Sequence, residues 1–228
     1  MKVFSKRYVG GFSLIEMMVV LGVVGLLMAF AAPNLFSLIT SNSLTGEGTV
    51  LRNQFTYAQQ IAVSKSSDVE VRFFKYADES AALLDERFRA FQLYQFNREG
   101  EMVPISSFFR IKAPVAVHEG MSTLLDTKAK GGKANDKKYG FIAPYEGIAE
   151  APVGNGGALA SCQYTAFRFR PDGSTDLPFR TSSNDTWYLT LVQGEGAVQS
   201  SDPDNYVCLQ ISSYNGKVSE FRPQAAAP

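Results

Sequence analysis

The chain has 228 residues, enough for one domain with appendages or two small domains at most. Apolar residues make up 45% and aromatics 12%, the balance of a globular protein rather than a disordered one. Twenty-two Lys and Arg offset 22 Asp and Glu, so nothing in the totals demands a nucleic acid or an acidic surface as partner.

Residues Met1 to Gly11 form a short leader carrying Lys2, Lys6 and Arg7, a basic end that the positive-inside rule keeps cytoplasmic. Phe12 to Ala32 follow, with only Ser13 and Glu16 polar. Such a run is about 30 Å of helix, enough to cross the hydrocarbon core. Glu16 is out of place in an anchor, because a carboxylate there costs on the order of 3 kcal/mol on insertion scales. A cut after Gly11 would make Phe12 a new N-terminus, and its amine in one copy could meet Glu16 of a neighbour. Gly22, Gly25, Ala29, Ala31 and Ala32 would let helices approach closely in lipid, or are simply tolerated there. Pro33 ends the apolar run and predicts a kink or break.

The order Gly11-Phe12-Ser13-Leu14-Ile15-Glu16 before an apolar helix resembles the class III signal of type IV pilins and type II secretion pseudopilins. The resemblance implies cleavage between Gly11 and Phe12 by a membrane-embedded prepilin peptidase and N-methylation of Phe12. It also implies a role for Glu16 in subunit registration. Pro33 matches the pilin position that can unwind on assembly. The implied partners are other pilin or pseudopilin subunits and an inner-membrane assembly platform. The implied location is the inner membrane, single-pass, with the head periplasmic, and then a pilus or pseudopilus filament. The alternative is an ordinary signal peptide or signal anchor.

Residues 34–64 continue as a helix whose Leu44, Leu51, Phe55, Ala58 and Ala62 recur at threes, fours and sevens, with Ile61 beside them. That stripe should face a core. Gly46 and Gly48 allow a break near Ser43 to Gly48. The segment from Phe55 to Ser64 resembles the end of the long helix in H-type minor pseudopilins and FimT-like minor pilins.

From Asp68 the period changes to two. Val69, Val71 and Phe73 alternate with Glu70, Arg72 and Phe74, a half-buried strand, and Phe88 to Phe96 alternate likewise. Phe108 to Val117 is strand material broken by Pro114. Lys128, Lys130, Lys133, Lys137 and Lys138 sit in a Gly-containing loop. Clustered lysines invite a DNA reading, which some FimT-like minor pilins would fit. No aromatics interleave for base stacking, so a solvated loop is the plainer reading. Gly140 to Gly157 show little regular pattern.

In the C-terminal third, Tyr164 to Arg170 form a strand running into the Pro171-Asp172-Gly173 turn. Trp187–Val192 and Val207–Ser212 are further strands, and Asn215-Gly216 turns into Val218–Phe221 as a hairpin. This succession resembles the head of H-type minor pseudopilins. The Phe-Arg-Pro-Asp-Gly turn with its long insertions resembles a pilin-like subfamily of Verrucomicrobial cassettes (cassette protein D).

Export would permit a disulfide between the two cysteines, Cys162 and Cys208, closing a loop of about 45 residues worth roughly 3–4 kcal/mol. Two free thiols are the alternative. Zinc-ligand spacing is absent, and no cofactor is expected. His118 stands alone and reads as structural or surface rather than as a general base. Asp202-Pro203-Asp204-Asn205 reads as a turn before it reads as a calcium site, and Asn184-Asp185-Thr186 fits a sequon. No nucleophile elbow, P-loop or dinucleotide fingerprint appears.

The expected fold is α+β and pilin-like, a long N-terminal helix on a β-rich head. The expected segments are a leader (1–11), a transmembrane or filament-core helix (12–33), an amphipathic continuation (34–64) and a head (65–228). The expected function is that of a non-enzymatic filament subunit of the minor type. The alternatives are a DNA- or surface-binding minor pilin acting through its head, a simple membrane-anchored periplasmic protein, or a membrane-anchored hydrolase.

Overall fold

The computed structural model describes residues 12–77, 85–97, 99–126, 143–178, 187–194, 203 and 205–222, excepting the side chains of 31–41 and 155. One α-helix, α1, runs Leu14–Lys65. The chain divides into two compact units, Met1–Thr40 and Ser41–Pro228, and α1 contributes to both. The helical backbone continues through Pro33, so the expected break there does not end the helix. A proline removes a single i→i−4 bond, and the rest of a 52-residue helix remains hydrogen-bonded.

Among the described residues, the second unit holds ten strands. They are β1 (Val69–Tyr76), β2 (Arg87–Phe96), β3 (Met102–Pro104), β4 (Phe109–Arg110), β5 (Val115–Val117), β6 (Tyr145–Ala151), β7 (Ala160–Phe169), β8 (Trp187–Gln193), β9 (Tyr206–Ile211) and β10 (Val218–Phe221). Six form one sheet in the order β3-β2-β1-β7-β6, with β4 also paired to β2. Four form a second sheet, β10-β9-β8-β5. Every pairing described is antiparallel. The strand material around Pro114 is split between the sheets: β4 joins the first and β5 the second. β6 lies in the stretch 140–157 that showed no pattern. Its Glu146, Ile148 and Glu150 are exposed while Tyr145 and Ala151 are buried, so the apolar residues do not alternate cleanly.

The helix supplies the middle of the core. Leu44, Gly48, Leu51, Phe55, Ala58 and Ala62 are all buried, at successive spacings of four and three that keep one face inward. They pack with Val71, Phe73, Phe91, Phe167 and Phe169 of the first sheet and with Trp187, Leu189, Val207 and Leu209 of the second. The Phe55 ring meets Phe73 edge-on at 6.1 Å and Phe167 at 5.8 Å, with Phe169 tilted at 6.4 Å. Edge-to-face pairs of this kind add about 0.5–1.5 kcal/mol each beyond their burial. Gln59, on the same helix, donates from Nε2 to the carbonyls of Gly173 (2.8 Å) and Asn215 (2.7 Å). It thereby ties the Pro-Asp-Gly turn and the β9–β10 turn to one helix position. A Cβ at Gly216 would fall 2.4 Å from the Gly173 carbonyl, so only glycine lets the two turns come this close.

The helix does not break at Ser43 to Gly48 either. A Cβ at Gly48 would sit 2.9 Å from Cγ1 of Val207, whereas one at Gly46 would meet nothing within 4 Å. Gly48 is therefore where the helix backbone lies against β9, and Gly46 is an ordinary exposed helix glycine. Replacing each by alanine should move stability in opposite directions. Gly46→Ala should gain about 0.5–1 kcal/mol from helix propensity. Gly48→Ala should lose about 1–3 kcal/mol from overpacking. Thermal unfolding of the two variants beside the parent, in detergent, measures both.

Candidate functional site

At the N-terminal motif, α1 begins at Leu14. The Ser13 side chain accepts the Glu16 backbone N–H at 3.2 Å, and the Ser13 carbonyl accepts the Met17 N–H at 3.2 Å. Ser13 is thus the N-cap and Glu16 the third helical residue, the spacing of a capping box. Beside the expected pairing of Glu16 with a neighbour's amine, the Ser-x-x-Glu spacing was the available signal for this local role. A carboxylate in the first turn also complements the helix dipole. Phe12 is exposed immediately ahead of the cap. Gly11 and the leader lie outside the described residues.

The apolar run is bare within its own unit. Leu14 is 79% exposed, Leu21 70% and Phe30 73%, and every described large apolar side chain between them is exposed. Burying such side chains in lipid or protein is worth about 1.5–3 kcal/mol apiece. Among the described residues, however, no helix is long and apolar enough to cross a membrane. The expectation of a spanning helix over 12–33 is corrected to that extent, since the described side chains of the run stop at Phe30.

Cys162 and Cys208 are not joined; both are free thiols. Cys162 lies in β7 of the first sheet, with Sγ directed to the Ala149 carbonyl at 3.7 Å. Cys208 lies in β9 of the second sheet, 3.7 Å from Thr190 Oγ1. Burial pushes both thiols above their usual range, which keeps them protonated and unreactive. The expected disulfide fails because the two residues belong to different sheets with different neighbours. His118 is buried, and its Nδ1 accepts the Met121 N–H at 3.0 Å, capping a short 3-10 turn, Glu119–Met121. The lysines between 128 and 138, Asn184-Asp185-Thr186, Asp202 and Asp204 lie outside the described residues.

The densest polar cluster in the head was not anticipated. Glu70, on the face of β1 turned away from the helix, is 1% exposed. Its carboxylate accepts Arg72 Nε at 2.6 Å, Arg168 Nε at 2.9 Å and the Tyr145 hydroxyl. The Arg72 guanidinium lies between the rings of Tyr94 (4.4 Å) and Tyr164 (4.3 Å), and that of Arg168 lies 4.6 Å from Phe96. Burial and the neighbouring Glu70 carboxylate raise the Tyr145 hydroxyl far above the usual phenol range, so it remains a donor. Asp176 accepts the Arg168 backbone N–H at 2.7 Å, and burial pushes its carboxyl up to about 6. Charges so thoroughly paired hold β1, β6 and β7 in register; they offer no unpaired group for chemistry.

Residues 6–32 match the family model of the prokaryotic N-terminal methylation motif. The match supports a type IV pilin-like protein processed by prepilin peptidase. No curated protein and no solved structure matches the chain.

Asp176 generates a pH signature. Its folded carboxyl titrates near 6 and its unfolded one near 3.8. The folded state therefore holds its proton more tightly, and ionisation destabilises it. Stability from this group is fully present below about pH 4 and lost as the pH rises through 6. Asp176→Asn keeps the acceptor for the Arg168 N–H without the charge. At pH 7 the variant should exceed the parent by about 2–3 kcal/mol, and the gap should vanish toward pH 4. Paired denaturation curves across that window measure it; Glu47, whose carboxyl burial also raises, is common to both proteins and cancels.

Proposed function

We propose that this chain is a non-enzymatic structural subunit of a type IV pilus-like or type II secretion pseudopilus filament. The observation that carries the reading is the methylation motif at residues 6–32. It leads into a capped helix whose apolar side chains have no cover within their own unit. The head on a helix stripe is compatible with a pilin-like α+β architecture. Prepilin peptidase cuts between Gly11 and Phe12, and Phe12 is N-methylated. The freed amine of one subunit pairs with Glu16 of the next, setting register, while the apolar helices supply affinity. The assignment of a minor subunit rests on the resemblance of the head to H-type minor pseudopilins. Before assembly the protein sits in the inner membrane, head outward.

In this reading Ser13 and Glu16 have two tasks. The backbone cap orients the first turn, leaving the Glu16 carboxylate to meet a cationic amine. A neutral, nearly isosteric replacement separates them, because Glu16→Gln retains the cap geometry and loses the charge. The chain isolated from membranes of cells with prepilin peptidase should begin at N-methylated Phe12, and from cells lacking it at Met1. Glu16→Gln should be processed normally yet fail to enter filaments. A parent chain that begins near Ala32, or that remains uncut beside active peptidase, would overturn the proposal.

A further inference from the structure

The face of the second sheet turned away from the helix carries its own pocket, of about 340 Å³. Strand register builds it, because side chains at alternate positions share a face. Tyr188 stands opposite Gln210, Thr190 opposite Cys208, and Val192 opposite Tyr206. β10 adds Phe221 beside Cys208. The middle of this face is therefore floored by two small side chains, Thr190 and Cys208. The rings of Tyr188, Tyr206 and Phe221 line the pocket about them.

The floor is satisfied within the chain. Thr190 Oγ1 donates to the Met121 carbonyl at 3.0 Å and lies 3.7 Å from Cys208 Sγ. The groups at the rim differ. Tyr188, Tyr206 and Gln210 are half-buried. Among the described residues, neither phenol hydroxyl nor the Gln210 side-chain amide makes a hydrogen bond. Phe221 is 50% exposed, an apolar ring held at the same rim. Among the described residues no carboxylate lines the pocket. Its one cation, Arg222, is engaged by Glu220 at 3.2 Å and by Thr45 at 2.9 Å. Aromatic walls with a few convergent polar groups, at this volume, are the make-up of a small-ligand site.

The lining selects the ligand. Phenol hydroxyls and a carboxamide both donate and accept. An ammonium only donates and a carboxylate only accepts, so either would leave part of the rim unused, and neither would meet a free opposite charge. The complement is a neutral ring with C–H groups on its faces and hydroxyls around its edge. We infer that this pocket recognises a neutral pyranose unit of a glycan. One face of the sugar lies against the aromatic rings, and its hydroxyls meet Gln210, Tyr188 and Tyr206. The pocket is in the head, so binding does not depend on N-terminal processing or on entry into a filament. Saturation-transfer NMR titrations of the full chain, in a detergent without a sugar headgroup, test this. The probes are cellotriose, maltotriose, mannotriose and tri-N-acetylchitotriose, with N-acetyl-tyrosinamide standing for a protein side chain. At least one trisaccharide should bind, with saturation strongest on its ring C–H protons. Added salt should leave the affinity unchanged, since no ion pair forms. Gln210→Ala and Phe221→Ala should each weaken binding about tenfold. Tyr57→Ala, at an exposed ring on the helix, should not. Phe221 is half exposed on an edge strand, so its variant decides the matter even if Gln210→Ala unfolds. No binding by any trisaccharide, binding of the tyrosine derivative alone, or an affinity indifferent to Phe221→Ala overturns the proposal.

Discussion

The head depends on the insertion of one helix face between two sheets, with Phe55 at its centre. Each sheet offers its inner side chains to the same stripe. Phe55 touches phenylalanines of β1 and β7, while one and two turns away Leu51 and Gly48 serve the second sheet's side of the core. The alternation of fours and threes along the stripe keeps every member facing inward over five turns. Phe55 fills the core beside the first sheet's rings, and at Gly48 the bare backbone meets Val207 of β9.

The opposite face of the first sheet solves a different problem. β1 is its central strand, paired on both edges, and both of its faces are buried. The apolar face needs no explanation beyond the helix. The other carries Glu70 and Arg72, which must be paired once they leave water. Aromatic rings of Tyr94, Tyr164 and Phe96 supply the cover, and Arg168 and Tyr145 supply the bonds. Farther along, Phe74, Tyr76, Ala90 and Cys162 turn that same face into a small second core. An ion cluster at one end and an apolar patch at the other share a single strand.

Much of this was legible before any coordinates. The helical stripe followed from the 3.6-residue period, and the strands around Val71, Leu93, Phe167, Leu189 and Leu209 followed from apolar alternation and their flanking turns. The methylation motif was legible because its chemistry is local and its order specific. What escaped were features made by distance in sequence. Glu70 reads as a solvent-facing strand residue until Arg168, nearly a hundred positions away, is placed beside it. Export, were it to occur, would permit a bond between the two cysteines, but only strand order reveals that they serve separate sheets. β6 was invisible because its exposed Ile148 and buried Ala151 reverse the expected polarity. Gly48 looked like a weak point because propensity has no knowledge of Val207.

Gln59 carries a consequence for the order in which the protein can be made. Its two carbonyl partners lie 114 and 156 residues downstream. During synthesis the helix emerges first, and the groups that fasten it follow more than a hundred residues later. Until residue 216 has been made and folded back, the Leu44–Ala62 stripe has no finished core to face. Contacts of such long range make folding slow and leave apolar surface open meanwhile. A chain cut short before the β9–β10 hairpin would lose the second clasp together with β9 and β10, leaving the Leu44–Ala62 stripe half covered. β9 and β10 are therefore the checkpoint at which α1 becomes committed to the head.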